Sequence, residues 1–203
     1  MQLVQNQGQI RVVQSGAVIL RAWAEWVTVD GGGCESFNRC YTDAANAYLH
    51  WAEHKQGEIL RREYMQSSCG RMFGFRPMVC RMTSRVVWQK GRFLSVVTDS
   101  VRDSGVHGEC PICHRGADVW DMERGVIIPA KYFLTHLPAL RSLRVGGKKP
   151  EGLWLDEDGV VLYVNAGQNG YAEARTGLAV DFVPRRGSAL QDVVPVQVGP
   201  TEK

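Results

Sequence analysis

The amino-acid sequence predicts an α+β fold, in which one long and one short helix pack against an antiparallel β-sheet. Three observations support this. The segment from Glu35 to Tyr64 carries apolar residues at helical spacing, shorter segments rich in Val and Ile carry them at strand spacing, and turn residues separate successive strands. With 44% hydrophobic and 22% charged residues, the composition is that of an ordinary globular protein.

The first predicted strand lies between Ile10 and Val29. Its run AVILRAWAEWVTV alternates in part between apolar and polar residues, as expected of a half-buried strand. A strand of this length is expected to bend or to pair with itself. The triplet Gly31-Gly32-Gly33 ends it.

The long helix is predicted over Glu35 to Tyr64. Its buried face consists of residues at three- and four-residue steps: Phe37, Cys40 or Tyr41, Ala44, Tyr48 and Trp51. The opposite face is polar: Asp43, Asn46, His50, Glu53, His54 and Lys55. Gly57 predicts a kink or a break before a second helical piece. The aromatic stripe is interpreted as core.

Two hairpins are predicted. In the first, a strand from Phe75 to Trp88 turns at Gly91 into a strand from Phe93 to Val101. In the second, the turn DEDG, from Asp156 to Gly159, joins two apolar runs. This turn lacks the alternating ligand pattern of a calcium loop.

Between the hairpins, ADVWDMERGVII predicts a strand, a turn ending at Gly125 and a short return. Pro129 then opens a short helix, which Pro138 interrupts. Three residues lie on one face of this helix: Phe133, Leu137 and Leu140.

A final strand is predicted from Gly177 to Val183, ending at Pro184. The sequence thus predicts a single domain over residues 1–184 and a polar tail over 185–203. Within that tail, VVPVQV could add an edge strand.

Charge and hydropathy limit the partners and the location. Twenty-four basic and 21 acidic residues are scattered along the chain and leave a net charge of +3, which does not suggest nucleic-acid binding. No segment approaches the roughly 18 apolar residues of a membrane span. The N-terminus MQLVQNQGQIRVVQ lacks a signal-peptide pattern, so the protein as written is expected in the cytoplasm. It is expected outside the cytoplasm if a leader has been removed.

The stretch SGVHGECPICHRG, from Ser104 to Gly116, carries the candidate site. Its Cys-x-x-Cys-His pattern, Cys110 to His114, has four interpretations: c-type haem attachment, a redox pair, a zinc site, or a turn with reduced cysteines. A zinc site would use His107, Cys110, Cys113 and His114, but the sequence has no second Cys-x-x-Cys knuckle. We favour the turn and predict no cofactor, with zinc as the alternative.

His107 lies between Gly105 and Gly108 and has two interpretations. It is a candidate binding residue, or its ring fixes the turn by hydrogen bonds to backbone carbonyls. The flanking glycines favour the second interpretation, because they indicate that the turn needs unusual backbone angles. No nucleophile elbow, phosphate-binding loop or zinc-protease helix is present, so no enzymatic activity is predicted.

Four segments in order carry a resemblance to a bacterial family: LSVVTDSVRDSGVHG (94–108), WDMERGVIIPAKYF (120–133), GLWLDEDGVVLYVN (152–165) and YAEARTGLAVDFVP (171–184). They resemble the family of unknown function that forms the extracytoplasmic domain of RsiV anti-sigma factors and is attached to some peptidoglycan deacetylases. Compared with that family, the segment containing CPICH is a few residues longer.

The resemblance implies an α+β fold and a role in binding or sensing, without known catalysis. In RsiV-type proteins the role is recognition of lysozyme at the cell surface, so the expected ligand is a protein or a cell-wall glycan. Four aromatic residues are candidates either for the contact surface or for the core: Trp23, Trp26, Trp154 and Tyr171. The alternative function is a small metal- or redox-responsive protein that uses the CPICH segment. The oligomeric state stays open.

Overall fold

The structure, a computed structural model, describes residues 1–66, 76–106, 108–166, 170–184 and 193–198. The strands in these residues are β1 Gln2–Gln14, β2 Ala17–Asp30, β3 Met78–Lys90, β4 Phe93–Asp103, β5 Ile112–Asp121, β6 Val126–Ile128, β7 Gly152–Asp156, β8 Gly159–Asn165, β9 Tyr171–Arg175, β10 Val180–Pro184 and β11 Val193–Gln197. The helices are α1 Glu35–His50, which continues through a π-helical segment Trp51–Gln56 into α2 Gly57–Gln66, and α3 Ala130–His136. The predicted α+β class is confirmed.

The strands form three sheets. The largest has the order β1-β2-β3-β4-β5-β6, the second is β7-β8-β9, and the third is β10-β11. The pairs with a described register are antiparallel, with the exception of β2 and β3, which run parallel from Leu20 opposite Met78 to Glu25 opposite Thr83. The long helix lies between these two strands in the chain, as a crossover between parallel strands requires.

The strand predicted over Ile10 to Val29 pairs with itself, as β1 and β2. The turn is at Ser15 and Gly16, which both have positive φ angles (50° and 81°). The prediction placed the start too late, because β1 already begins at Gln2. Its first half, QLVQNQGQ, is rich in glutamine, which gives no strong strand signal.

The long helix is confirmed, with a corrected buried face. Tyr41 is buried and Cys40 half-buried, so Tyr41 occupies the core position. Ala44 is exposed and Ala45 is buried, which contradicts the prediction for Ala44. The reason is spacing, since four-residue steps from Phe37 lead to positions 41 and 45.

Gly57 ends the π-helical segment, close to the predicted kink. A Cβ atom at this position would lie 3.2 Å from Cγ2 of Val12, so the missing side chain lets the helix approach β1 closely.

The contacts divide the chain into two compact units. The first consists of the described residues within Met1–Arg85, Thr98–Arg115 and Ala166–Gly170. Its core packs the long helix on β1 and β2 through one cluster of buried residues: Val12, Ile19, Leu20, Ala22, Ala52, Leu60, Tyr64 and Cys80. A smaller cluster of Ala24, Ala45 and Met82 continues it.

The second unit consists of Val86–Val97, Gly116–Asn165 and the described residues from Tyr171 onward. The predicted short helix is confirmed as α3. Phe133 of this helix and the following Leu137 and Leu140 belong to one buried cluster with Leu155 of β7 and Leu162 of β8. The predicted hairpin at DEDG is confirmed as β7 and β8, with Asp156 opposite Gly159.

Two features at the end of the chain refine the predictions. Strand β9 was not predicted, because its sequence YAEAR alternates alanine with charged residues rather than with large apolar ones. The last predicted strand begins at Val180 instead of Gly177, whose positive φ of 66° belongs to the preceding turn. The possible edge strand in VVPVQV forms as β11 and pairs with β10, while most of the rest of the predicted tail lies outside the described residues.

Candidate binding site

Three of the four predicted site residues, Cys110, Cys113 and His114, lie around the start of β5. His107 lies outside the described residues. Cys110 is exposed and precedes β5, whereas Cys113 is half-buried and His114 is exposed, both within the strand. Consecutive residues of a strand point to opposite faces. Cys113 and His114 therefore do not share one face of β5.

The zinc interpretation stays a prediction. In the part of the chain that the structure describes, no group of three or more His, Cys, Asp or Glu side chains is placed to share one ion. One of the four predicted ligands, His107, is not among these residues.

Hydrogen bonds connect the described residues of the loop from Asp103 to Cys110 to one another. Oδ1 of Asp103 accepts a bond from the Gly105 backbone N–H at 2.9 Å, and Oγ of Ser104 accepts one from the Val106 N–H at 3.2 Å. The Ser104 hydroxyl donates to Oε2 of Glu109 at 2.6 Å. Such local bonds from Asp and Ser side chains are typical of ordered turns.

The two glycines of this loop have the positive φ angles that the sequence pattern indicated, 76° at Gly105 and 89° at Gly108. They differ in their surroundings. A Cβ atom at Gly105 would lie 2.7 Å from the carbonyl oxygen of Arg76, whereas Gly108 has open space around it. The absence of a side chain at Gly105 therefore lets the backbone lie close to the segment before β3.

A cavity of about 450 Å³ lies beside this loop. Its lining combines a cation, a carboxylate, a hydroxyl, a thiol and apolar groups: Met78, Arg102, Ser104, Gly108, Glu109, Cys110 and Ile112. The mixture can bind an apolar group while polar side chains fix its orientation. The Cys-x-x-Cys-His pattern indicated Cys110 but not Arg102, Ser104 or Glu109, because a sequence pattern carries no information about which residues around a turn face the same space.

An ion-pair network lies in the strands next to the cavity. Both carboxylate oxygens of Asp99 accept hydrogen bonds from Arg115, at 2.6 Å from Nε and 2.8 Å from Nη2. Arg85 adds a third bond of 2.8 Å. Partial burial acts to raise the pKa of Asp99, but the bonds and charges of Arg115 and Arg85 outweigh it and hold this pKa below its usual value.

A buried thiol and phenol lie near the same strands. Burial raises the pKa of the Cys80 thiol to about 11, although the charge of Arg102 opposes the shift. Burial, together with Cys80, also raises the pKa of Tyr48, whose hydroxyl donates to the Val101 carbonyl at 3.4 Å. Both groups are neutral at physiological pH.

The cysteines are therefore expected to differ in reactivity. Cys110 is exposed, while Cys80 is fully buried and protonated at neutral pH. Because the thiolate is the reactive form, a maleimide is expected to label Cys110 in the native protein and Cys80 only after unfolding. Peptide mass spectrometry checks this order. Labelling of Cys80 as fast as Cys110 under native conditions would contradict the packing described for β3.

The four candidate aromatic residues have different environments. Trp154 is 5% exposed and belongs to the core. Trp26 donates a hydrogen bond from its indole N–H to Oγ1 of Thr42 in α1. Trp23 is half-buried and Tyr171 is exposed. These last two are accessible at the surface of their respective units.

No family model and no curated protein matches this sequence. Solved structures do match. A member of the DUF3298 family from Bacteroides fragilis has a TM-score of 0.60 at 14% identity, covering 86% of this chain and 89% of the other. A DUF3298 family protein from Pseudomonas aeruginosa has a TM-score of 0.50 at 9% identity, with the same shares covered.

The chain has the fold of these DUF3298 structures. Identities of 14% and 9% support a statement about fold alone. No helix in the described residues is long and apolar enough to cross a membrane.

Proposed function

We propose that this protein is a non-catalytic binding or sensing protein of the RsiV-like type, with a protein or a cell-wall glycan as its ligand. The observation that carries the proposal is that the described residues 103–106 and Glu109 hydrogen-bond to one another beside a cavity of about 450 Å³. Local hydrogen bonds of this kind reduce the conformational entropy that the bonded residues lose when a ligand binds. Loops held on a rigid sheet are common positions for binding residues.

Three further observations support the proposal. The α+β fold shared with the DUF3298 structure agrees with the α+β fold that the RsiV-like resemblance implies. The segment that resembles the RsiV-like family at residues 94–108 includes the loop up to Gly108. The cavity lining has both charged and apolar groups, which suits a projecting protein side chain or a single sugar residue.

The test is a binding measurement with lysozyme and with solubilised cell-wall fragments. We expect one of the two to bind, and Glu109→Lys to weaken that binding about tenfold or more, since charge reversal in a contact readily costs about 1.4 kcal/mol. The matched control is Glu58→Lys, which makes the same change at an exposed position of α2. His107→Ala, in the same assay, is expected to weaken binding without changing the metal content.

Thermal unfolding of each variant separates lost binding from lost folding, because Glu109 also accepts the hydrogen bond of Ser104. Absence of binding to both ligands would overturn the proposed ligand class. Equal binding by the Glu109→Lys and Glu58→Lys variants would contradict a role of the cavity in ligand binding.

A further inference from the structure

The hairpin of β1 and β2 has one face that packs on the helix and one that faces away from it. A Cβ atom at Gly8 would lie 2.8 Å from Cδ1 of Leu49 and 3.7 Å from the ring of Trp26, so Gly8 faces the helix. Because side chains alternate along a strand, Gln7 and Gln9 point to the opposite face. We call this opposite surface the outer face.

The register places three residue pairs in sequence along the outer face. Gln7 lies opposite Glu25, Gln9 opposite Trp23, and Arg11 opposite Arg21. Both glutamines and both arginines are exposed, and Trp23 and Glu25 are half-buried. A cavity of about 280 Å³ lies here and is lined by Gln7, Gly8, Gln9, Trp23 and Glu25.

The centre of the outer face offers an aromatic ring next to polar side chains, Gln7, Gln9 and Glu25. Among the described residues, Trp23 and the two glutamine side chains make no hydrogen bond. Glu25 has a loose ion pair with Arg81, whose Nη2 lies 3.6 Å from Oε2. A saccharide fits this chemistry, because its C–H face can lie on the indole while its hydroxyls donate and accept bonds with amides and a carboxylate.

The end of the outer face carries positive charge. Arg11 and Arg21 lie directly opposite each other and form no ion pair with any described residue. Like charges placed in this way destabilise a strand pair, and an anion between them would relieve the repulsion. Successive pairs on one face are roughly 7 Å apart. A carboxylate one sugar unit away from Trp23 would therefore reach both guanidinium groups.

We propose that the outer face binds a carboxylate-bearing saccharide, with one sugar ring on Trp23, hydroxyls on Gln7, Gln9 and Glu25, and the carboxylate on the arginine pair. The outer face shares no lining residue with the cavity that Arg102, Ser104 and Glu109 line, which we call the loop cavity. The proposal therefore holds whether or not the loop cavity binds a ligand.

The experiment is titration calorimetry with three probes of similar length. Trigalacturonic acid has rings and carboxylates, maltotriose has rings alone, and triglutamate has carboxylates alone. We expect the acidic trisaccharide to bind at least tenfold more tightly than each of the other two. Equal binding of triglutamate would show that the surface recognises charge without a sugar and would overturn the proposal, as would no binding of the acidic trisaccharide.

Variants then locate the site. We expect Trp23→Ala and the double variant Arg11→Gln/Arg21→Gln each to weaken binding of trigalacturonic acid about tenfold or more. Trp23→Phe, which keeps an aromatic surface, should retain more binding than Trp23→Ala. The double variant changes exposed side chains and is expected to fold, so the test remains valid if Trp23→Ala is unstable.

Two controls complete the design. Arg62→Gln removes one charge from an exposed position of α2, and Glu109→Lys alters the loop cavity. Neither is expected to weaken binding of trigalacturonic acid. Loss of this binding in the Glu109→Lys variant would assign the saccharide to the loop cavity and overturn the outer-face site. Loss in the Arg62→Gln variant would show a non-specific charge effect and would overturn it as well.

Discussion

Replacing Asp99 with asparagine is expected to lower the free energy of unfolding by about 3 kcal/mol, the low end of the cost of breaking a buried ion pair, because Arg115 is buried and Asp99 is half-buried. The reason is Arg115, which is 4% exposed and donates two hydrogen bonds to the Asp99 carboxylate. Without that carboxylate, the buried guanidinium of Arg115 loses two hydrogen bonds and the negative charge of Asp99. Urea unfolding followed by circular dichroism measures the change.

Arg85→Met is the matched control, because it removes the other arginine that bonds to Asp99. The Arg85 side chain is about half exposed, so its ion pair is expected to contribute no more than about 1 kcal/mol. A loss for Arg85→Met as large as that for Asp99→Asn would contradict the role given to burial of Arg115.

The same network gives a pH dependence. The folded protein holds the pKa of Asp99 below its unfolded value, so the stabilising contribution of this carboxylate is present above the unfolded pKa of about 3.9. The contribution is lost as the pH falls through the lowered pKa of the folded state. The difference in stability between wild type and Asp99→Asn is therefore expected to be full at neutral pH and to shrink below about pH 4.

Gly159→Ala is expected to destabilise the second unit by about 4 kcal/mol. Gly159 has a φ of 119°, a conformation that strains other residues by about 1 to 3 kcal/mol. A Cβ atom would also lie 2.3 Å from the carbonyl oxygen of Leu178, which accepts a hydrogen bond from the Val160 N–H. Relieving this overlap shifts backbone and adds a cost of similar size.

Gly91→Ala provides the control in the same unit. Gly91 also has a positive φ, 57°, but nothing lies within 4 Å of the added Cβ atom. It is expected to cost about 1 kcal/mol, from backbone strain alone. Thermal unfolding measures the loss of stability in both variants. Equal losses of stability would contradict the close approach of Leu178 to Gly159.

The elements that the sequence predicted well have strong local signals. Phe133, Leu137 and Leu140 repeat at helical spacing after Pro129, and they form one buried face of α3 and the turn that follows it. Gly91 marks the turn of the hairpin between β3 and β4. In both cases the residues that determine the structure lie within a few positions of each other in the chain.

The candidate surfaces were harder to predict, because they depend on contacts between distant segments. Met78 and Cys110 line one cavity although 32 positions separate them in the numbering. Gln9 lies beside Trp23 through the register of β1 and β2, and the glutamine-rich start of β1 gave no strand signal. A single sequence carries no direct information on either contact.

An NMR titration of isotope-labelled protein is the decisive experiment for the proposed binding role. Lysozyme and solubilised cell-wall fragments are added separately, and the backbone amide signals are followed. We expect one of these ligands to shift the signals of the loop from Asp103 to Cys110 and of Met78 and Ile112 around the cavity, with few changes in α3. Unchanged signals at saturating concentrations of both ligands would contradict the proposed function.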